Sequence, residues 1–528
     1  MTTAAIDFDP RLLMVQGTTS DAGKSALITA LCRLLARQGH AVAPFKSQNM
    51  ALNSAVSVEG GEIGRAQAVQ ALACGLAPSV RFNPILLKPT GERCSQVIVD
   101  GQPIGHMSAR DYHVPKPRLR QQVVDRLQQL ADDMQFVMIE GAGSPAEINL
   151  RQHDLVNMGL ALPARAPVIL IADIDRGGVF AHLVGTLELL SAQERQQVIG
   201  LIINRFRGDP ALLQPGIDWL EARTGLPVLA VIPWIERLYL DAEDSLSSGQ
   251  SSTAQSSAPA NIHVTVIQLP GISNQTDIDA LRLHPDVALT LARTPAEAGP
   301  SDLCILPGSK RTLDDLDWLR QQGWPAWLTR HLRYGGKVLG ICGGYQMLGT
   351  WLEDPDGHDS PRRPERAARV AGLGWLSHTT RYTAHKTLRQ SECHGSFTGE
   401  QSLTLSGYEI HMGSSTPPDA NHGETPLAMR AEAEHAPEGC RSADGHIIGT
   451  YLHGLLDNAE ALDDLLRWVM PSRKKHDEAP FDMATFRLKE MDRLAEGVAR
   501  ALRFGRWPDG PLKEALRTAA DTIKGRQN

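Results

Sequence analysis

The sequence has no stretch that approaches the roughly 18 uninterrupted apolar residues of a membrane-spanning helix. Residues 1–10 also lack the basic and apolar regions of an export signal. The 7 cysteines of the 528-residue chain are scattered and include no CxxC pair, which argues against a disulfide framework and against a zinc site. Together these absences predict a protein of the reducing cytoplasm with no membrane span.

Charge of one sign is not in large excess either. The 53 Lys and Arg residues and 60 Asp and Glu residues give a formal net charge of -7, spread over a long chain. Such a mild acidic balance argues against a nucleic-acid partner and against binding to an anionic membrane. Hydrophobic residues at 42% and charged residues at 21% are ordinary for globular proteins, and the length suggests roughly two to four domains.

What is present is an alternation of short apolar runs and helical stretches, which occurs twice along the chain. In residues 10–243 these runs are rich in β-branched residues, which predicts an α/β domain with a parallel sheet. The Ser-rich segment 244–260 predicts a flexible linker. The α/β pattern restarts over residues 261–458, and the charged residues 459–528 predict a C-terminal helical tail.

A phosphate-binding loop is predicted where Gly-Thr-Thr-Ser-Asp-Ala-Gly-Lys-Ser follows an apolar strand and opens a helix. Gly17, Thr18 and Gly23 allow backbone amides to approach phosphates. Lys24 would supply a positive charge, and the Ser25 hydroxyl can bind Mg²⁺. Five residues rather than the usual four separate the two glycines. A chance Gly-rich turn is the alternative, which the combination of strand, loop and helix disfavours.

This longer loop resembles that of dethiobiotin synthetase and its relatives, which activate a carboxylate or a carbamate with ATP. The resemblance implies that ATP and Mg²⁺ are used and that Asn204, at the end of a later strand, contacts adenine. Glu140 ends another strand at the carboxyl edge of the sheet, where ligands of such sheets bind. It is the candidate second Mg²⁺ ligand beside Ser25, with a structural cap as the alternative.

Polar clusters at the predicted strand ends are candidates for binding a carboxylate-rich substrate. Lys46, Gln48 and Asn49 form one cluster, Asp154 belongs to a second and Asp173 to a third. The two aspartates are expected near the acceptor or the metal. For each cluster taken alone, a turn or a solvated surface is the alternative.

The second half contains a candidate nucleophile. An apolar strand runs into Gly-Ile-Cys-Gly-Gly and then into a helical stretch, so small residues flank Cys342 in a strained turn of the kind that exposes a nucleophile. His453 follows a later strand and is the candidate general base. The backbone amides of Gly308 and Gly343 would suit an oxyanion hole. A buried core cysteine and a structural histidine are the alternatives.

This pattern resembles the class I glutamine amidotransferase domains, which implies an α/β fold and glutamine as the nitrogen donor. In most of that class a Glu lies two residues after the His, but here the position holds Leu455. The third member of the Cys–His site is therefore open, with Asp457 and Glu409 as candidates. A Cys–His pair depends less on such a residue than a Ser–His pair does.

The combination of the two halves resembles the cobyrinic-acid amidase group. Residues 45–50, 204–208, 307–310 and 407–413 are most similar to the member that amidates adenosylcobyrinic a,c-diamide at its b, d, e and g carboxylates. The resemblance implies a corrinoid substrate, an acyl phosphate intermediate and a role in cobalamin biosynthesis. The alternatives are amidation of cobyrinic acid at a and c or of another polycarboxylate, a ParA-like ATPase switch, and a noncatalytic corrinoid-binding protein.

Overall fold

The computed structural model describes residues 7–91, 94–112, 116–241, 261–359, 368–431, 436–473 and 480–525. The chain divides into two compact units, one made of Met1–Glu243 and Arg487–Asn528 and the other of Asp244–Phe486. The predicted linker at 244–260 lies outside the described residues. No helix within the described ranges has both the length and the apolar character needed to cross a membrane.

The first unit begins with a long alternation of strands and helices. Its strands are β1 (Leu12–Gly17), β2 (Val42–Phe45), β3 (Gln48–Met50), β4 (Ser54–Val56), β5 (Glu62–Gly64), β6 (Ile85–Gly91), β7 (Cys94–Val99), β8 (Gln102–Ser108), β9 (Phe136–Glu140), β10 (Val168–Asp173), β11 (Val198–Phe206) and β12 (Val228–Pro233). Its helices up to this point are α1 (Lys24–Arg37), α2 (Arg65–Ala73), α3 (Ala109–Tyr112), α4 (Lys116–Asp133), α5 (Met158–Ala164), α6 (Val179–Leu189), α7 (Ala192–Gln197) and α8 (Pro210–Thr224).

The main sheet of this unit has the order β12-β11-β10-β1-β9-β2, and all of its pairings are parallel. Successive β1 side chains point to opposite faces: Leu13 and Val15 pack with α1, and Met14 packs in the core on the other face. Because the strands are parallel, their carboxyl ends lie at one edge of the sheet. The register there places Glu140 opposite Val15 and Asp173 opposite Asn204.

Two smaller sheets complete this part of the unit. The strands β3, β6, β7 and β8 form one of them in that order, and β4 and β5 pair as an antiparallel hairpin. These sheets contain residues 48–50 of the 46–50 region, whereas Lys46 precedes β3. They therefore place Gln48 and Asn49 on β3, in register with Ile85 and Leu86 of β6.

The second unit also begins as an alternation of strands and helices. Its strands are β13 (Ile262–Ile267), β14 (Val287–Ala292), β15 (Leu303–Leu306), β16 (Lys337–Ile341), β17 (Trp351–Glu353), β18 (Arg369–Ala371), β19 (Thr379–Gly395), β20 (Leu403–Ser415), β21 (Ala428–Arg430), β22 (Pro437–Glu438), β23 (Cys440–Arg441) and β24 (Ile447–Thr450). Its helices are α9 (Asp279–Leu283), α10 (Thr312–Gln321), α11 (Trp324–Arg333), α12 (Gly343–Leu348) and α13 (Ala459–Val469).

The central sheet of the second unit has the order β14-β13-β15-β16-β24-β23. Its pairings are parallel except for β23 with β24. A further sheet has the order β18-β17-β19-β21-β22, with β20 paired to β19. The carboxyl ends of β13, β15, β16 and β24 therefore lie at one edge, which is where the segments after these four strands meet.

The predicted C-terminal tail is divided between the two units. Helix α13 belongs to the second unit, whereas α14 (Met483–Ala501) from Arg487 onwards and α15 (Pro511–Gly525) belong to the first. The apolar faces of α14 and α15 pack against the α1 side of the main sheet, through Leu494, Val498 and Leu516 among others. Most charged residues of this segment lie on the side that faces solvent, and its apolar residues belong to the core on the α1 side of the main sheet.

A buried ion-pair cluster fastens α14 to the first unit. Both carboxylate oxygens of Asp241 are occupied, one by Arg65 at 2.6 Å and the other by Arg487 at 2.9 Å. Burial raises the pKa of Asp241, but the two guanidinium groups outweigh it and hold this pKa at about 2. Arg33 of α1 also pairs with Asp492 of α14 at 2.7 Å.

Candidate active sites

The phosphate-binding loop of the first unit connects β1 to α1. Gly23 precedes the helix with a φ of 102°, and a Cβ added there would lie 2.0 Å from Nδ2 of Asn204. Both the conformation and the space therefore require glycine at this position. Lys24 Nζ donates to the carbonyl oxygens of Thr19 at 3.0 Å and of Gly143 at 3.1 Å. The loop thus has the geometry of an anion cradle at a helix N-terminus.

Glu140, at the end of β9, is the centre of a buried polar cluster. Its Oε1 accepts hydrogen bonds from Ser25 Oγ at 2.8 Å and from Lys46 Nζ at 2.9 Å, and its Oε2 accepts one from Gln70 Nε2 at 2.5 Å. Burial raises the pKa of this carboxyl, but the charge and hydrogen bond of Lys46, with those of Gln70 and Ser25, bring the net pKa below its usual value. Glu140 is therefore a carboxylate in spite of its burial.

The residues around Glu140 fit a magnesium ion. A serine hydroxyl and a carboxylate oxygen lie 2.8 Å apart, and Mg²⁺ prefers oxygen ligands. The described ranges contain no cluster of three or more His, Cys, Asp or Glu side chains suited to a metal. Mg²⁺ in nucleotide sites is commonly held by one or two carboxylates together with phosphate oxygens. Thr18 Oγ1 in the phosphate-binding loop and Oε1 of Gln70, whose Nε2 donates to Glu140, are also buried, with no hydrogen-bond partner in the described part of the protein.

Asn204 and Asp173 lie side by side at the carboxyl ends of β11 and β10. Asn204 Nδ2 donates to the carbonyl of Ala22 at 2.9 Å, so this amide braces the phosphate-binding loop. Asp173 accepts hydrogen bonds from Arg205 at 2.8 Å and from the backbone amide of Asp175 at 2.9 Å. The contact of Asn204 with adenine stays a prediction, as does the contact of Asp173 with substrate or metal.

The other predicted substrate residues lie in different surroundings. Lys46 is brought to Glu140, whereas Gln48 accepts a hydrogen bond from Tyr112 at 2.7 Å and Asn49 donates to Gln67 at 2.9 Å. The Asp154 carboxylate accepts hydrogen bonds from three backbone amides, those of residues 156, 157 and 159. In this arrangement Asp154 stabilises the turn before α5, and its role towards substrate stays a prediction.

In the second unit, Cys342 lies in a strained turn between β16 and α12. Its φ of 51° and ψ of -106° are unusual for a residue with a side chain. Its amide donates to the Thr450 carbonyl of the neighbouring strand at 2.8 Å, which fixes the turn against β24. The next residues have no room for side chains, since a Cβ at Gly344 would lie 1.9 Å from the Leu306 carbonyl oxygen. The flanking glycines are therefore required by packing.

His453 follows β24 and is held by an acidic residue from a distant part of the chain. Its Nδ1 lies 2.7 Å from Asp277 Oδ2, and the other oxygen of Asp277 accepts the Gly454 amide at 2.9 Å. Burial lowers the pKa of His453, but the charges of Asp277 and Cys342 raise it to about 10. Nε2 of His453 has no hydrogen-bond partner within the described ranges. Asp277 thus orients the imidazole ring, and the charge of Cys342 contributes to its raised pKa.

The third member of this site, which the sequence left open, is neither of the two candidates Asp457 and Glu409. Asp277 is the partner of His453 Nδ1, and Glu409 instead forms ion pairs with Arg389 at 2.9 Å and Arg430 at 2.8 Å. Those arginines, together with His411 and Ser391, more than offset the burial of Glu409 and hold its pKa far below the usual value. Its carboxylate is therefore committed to a separate buried network.

No local pattern in the sequence marks Asp277, which precedes His453 by 176 residues. The usable signal is topological. Asp277 follows β13, whose carboxyl end lies at the same edge of the sheet as that of β24. Gln70, on α2, was missed for the same reason, because only the folded chain brings it to Glu140.

The candidate oxyanion residues lie beside the Cys–His pair. A Cβ added at Gly308 would lie 3.4 Å from His453 Cε1, and one added at Gly343 would lie 2.8 Å from the backbone nitrogen of Ser309. The loop after β15 therefore packs directly against the nucleophile turn. Two backbone amides near a nucleophile can stabilise a negatively charged oxygen during acyl transfer.

Comparison with known proteins assigns a class to each half. Residues 13–247 match the CobQ/CobB/MinD/ParA nucleotide binding domain, and residues 263–461 match the CobB/CobQ-like glutamine amidotransferase domain. The fold and the two sites therefore define a glutamine amidotransferase with an attached P-loop nucleotide-binding unit, and the predicted two-domain α/β class is confirmed.

A full-length relative narrows this class. The cobyric acid synthase of Marinomonas sp. (strain MWYL1) is 51% identical over 499 residues, which cover 93% of this chain and 97% of that protein. The chain belongs to the cobyric acid synthase family, as the resemblance implied.

Two solved structures are similar to parts of this chain at low sequence identity. A glutamine amidotransferase is 17% identical, covers 39% of this chain and 98% of its own, and gives a TM-score of 0.28. The cell division protein FtsY from Thermotoga maritima is 16% identical, covers 44% of this chain and 65% of its own, and gives a TM-score of 0.26. Scores at this level carry no argument.

Proposed function

We propose that this protein uses ATP and glutamine to amidate the b, d, e and g carboxylates of adenosylcobyrinic a,c-diamide, and so forms cobyric acid. The observation that carries the proposal is the occurrence of two complete candidate sites in one member of this family. One is the phosphate-binding loop with Glu140, and the other is Cys342 with His453 and Asp277. Neither site alone would account for amidation with glutamine as the nitrogen source.

In the second unit, the proposed reaction is the hydrolysis of glutamine. The Cys342 thiolate attacks the side-chain amide carbon, and the amides of Gly308 and Gly343 stabilise the resulting oxyanion. Protonated His453, oriented by Asp277, gives its proton to the nitrogen that leaves as ammonia. His453 then takes a proton from water as the water attacks the thioester, which releases glutamate and restores the thiolate.

In the first unit, the proposed reaction activates a carboxylate, which by itself is a poor acceptor for ammonia. The loop amides and Lys24 hold the ATP phosphates so that a substrate carboxylate oxygen attacks the γ-phosphorus and ADP leaves. Ammonia attacks the carbonyl carbon of the acyl phosphate, inorganic phosphate leaves with the bonding electron pair, and the amide loses its excess proton to solvent. Ser25 and Glu140 would hold Mg²⁺, which neutralises phosphate charge when it is bound.

The test is the mass of the corrinoid product formed by the purified protein with ATP, Mg²⁺ and glutamine. Offered adenosylcobyrinic a,c-diamide, the protein should convert all the remaining b, d, e and g carboxylates to amides, with ATP consumed in proportion. Offered cobyrinic acid, it should be much less active. A product amidated only at a and c would identify the alternative amidase, and no amidation of any corrinoid would exclude the proposal.

A further inference from the structure

A buried carboxylate outside the Cys–His–Asp group connects two of its supporting loops. Asp315, on α10, is only 1% exposed. Its two oxygens accept the backbone amide of Gly271 at 3.0 and 3.2 Å, and Oδ2 also accepts the Ser309 hydroxyl at 2.5 Å. Gly271 follows β13 and Ser309 follows β15, so one side chain joins the segments that leave two neighbouring strands.

The two segments are also joined to each other by their backbones. Lys310 donates to the Gly271 carbonyl at 3.0 Å, and Ser273 donates to the Gly308 carbonyl at 3.0 Å. A Cβ at Gly271 would lie 2.7 Å from Asp315 Oδ2, so this approach leaves no space for a side chain. Asp315 therefore lies where the two segments are closest.

Each segment contributes a part of the glutamine site. The one after β15 contains Gly308 and Ser309, which pack against His453 and Gly343 respectively. The one after β13 reaches Asp277, which accepts the hydrogen bond from His453 Nδ1. Within the described ranges, the hydrogen bonds of the Asp315 carboxylate go to Gly271 and Ser309, so its influence on the reacting groups runs through these two segments.

We propose that Asp315 is a positioning residue for glutamine hydrolysis, which holds the Gly308 amide and the Asp277 carboxylate in register with Cys342 and His453. This inference rests on the proposed glutaminase function of the second unit. The position needs an acceptor for two donors, the Gly271 amide and the Ser309 hydroxyl. A carboxylate offers two acceptor oxygens to these donors, whereas an Asn side chain offers one, so the donors must share that oxygen or one of them must face the NH₂ group.

The test compares Asp315→Asn with Asp314→Asn, a charge-matched control on the same helix whose carboxylate lies 3.9 Å from the Arg311 guanidinium. Because a small misplacement of catalytic groups lowers the rate by up to about 100-fold, Asp315→Asn should reduce kcat for glutamine hydrolysis about 10- to 100-fold. The KM for glutamine should change much less, because the lost interactions act on the transition state. Amidation with supplied ammonia should be unchanged, and Asp314→Asn should resemble the wild type.

A count of reactive thiols separates positioning from loss of folded protein. Alkylation of Cys342 should still reach one reactive site per chain in Asp315→Asn, with Cys342→Ala as the blank for the other cysteines. A fall in that count in proportion to kcat would show a merely structural role and overturn the proposal, as would a kcat within twofold of the Asp314→Asn control.

If Asp315→Asn does not fold, Ser309→Ala decides, since it removes one of the same hydrogen bonds without changing charge. It should then show the same kcat loss at unchanged KM, and wild-type rates would overturn the proposal. Failure of the wild-type protein itself to hydrolyse glutamine would instead contradict the proposed function.

Discussion

The two candidate sites use the same element in opposite ways. In each unit a buried parallel strand ends in a tight turn that opens a helix, and in each the turn residue before the helix has a positive φ. In the first unit that residue is Gly23, with a φ of 102°, and in the second it is Cys342, with a φ of 51°. With glycine the turn is suited to present backbone amides to an anion, whereas with cysteine it places a buried thiol at the same position.

The charges around the two turns differ accordingly. Beside the first turn, the negative charge of Glu140 is balanced by the positive charge of Lys46, and its carboxylate accepts hydrogen bonds from Ser25 and Gln70. At the second turn, Asp277 occupies one nitrogen of His453, and the other nitrogen lacks a hydrogen-bond partner within the described ranges. The first site holds a paired cation and anion, Lys46 and Glu140, next to the place where a charged ligand would bind. The second site has a histidine nitrogen, Nε2 of His453, that can transfer a proton. This comparison predicts that the two activities are separable by mutation.

The largest expected effect is that of Cys342→Ala. Glutamine-dependent amidation should fall by at least about 1,000-fold, because the nucleophile is removed. Amidation with a supplied ammonium salt should stay near the wild-type rate, because the first unit is unchanged. Steady-state rates with each nitrogen source measure this, and Cys304→Ala at a buried core cysteine is the control. Loss of both activities would mean that the sites are not separable.

Lys24→Ala should give the converse pattern. Amidation should fall by at least about 100-fold with glutamine and with ammonia alike, since a preorganised positive charge at the phosphates is lost. Glutamine hydrolysis in the same protein should persist. Amidation can be followed by ADP release and by product mass, with Lys524→Ala at the exposed C-terminal end of α15 as the control. Retained ammonia-dependent product would remove Lys24 from the ATP site.

Asp277→Asn should have a smaller effect, and only on the glutamine-dependent activity. We expect a loss of about 100-fold or less, because a Cys–His pair retains reactivity without its third member. The charges of Asp277 and Cys342 outweigh burial and raise the pKa of His453 to about 10, so protonated His453 is present below that pH and lost above it. Removing the Asp277 charge lowers this pKa, and the alkaline limb of the pH–rate profile should move to lower pH. Asp457→Asn is the matched control, and an equal shift in that variant would contradict the assignment.

The smallest effect on activity and the clearest on stability is expected for Asp241→Asn. It leaves Arg65 and Arg487 buried without their carboxylate and should destabilise the first unit by about 3 to 5 kcal/mol. The control Asp492→Asn breaks ion pairs with Arg33 and Arg37 that are more exposed than the Asp241 cluster, and it should cost about 1 kcal/mol or less. Denaturant unfolding measures both, and equal effects would mean that the C-terminal helix is not fastened by this cluster.

The same carboxyl gives a pH dependence of known sign. Its folded pKa of about 2 lies below the ordinary value of 3.8, so its stabilising contribution is complete above pH 4. That contribution should decline as the pH falls from about 4 towards 2. Acid unfolding of the wild type should therefore show a component in this window that Asp241→Asn lacks.

The parts of the two sites that are contiguous in the chain could be predicted from the sequence. The phosphate-binding loop and the turn around Cys342 are local patterns of strand, glycine and helix, and each was predicted with its residues. Asp277 was not, because its position depends on a short 3₁₀ helix at Gln275–Ile278, which follows Asn274 with a φ of 51°. No spacing rule connects that helix to His453.

The fold shows the same division. Periodicity and the βαβ pattern predicted an α/β class for both halves, since alternation is a property of neighbouring residues. The apolar faces of α14 and α15 did not reveal their partner, because an amphipathic helix fits many cores equally well. Only long-range packing assigns these helices to the α1 face of the first unit.

The central claim is that Cys342 releases the nitrogen that a separate ATP-using site places on the substrate. The direct measurement is the isotope content of the corrinoid product when heavy nitrogen labels the glutamine amide and an unlabelled ammonium salt is also present. The wild-type protein should incorporate heavy nitrogen at the newly formed amides, and Cys342→Ala should give the same amides with light nitrogen only. Heavy nitrogen in the product of Cys342→Ala would contradict this account.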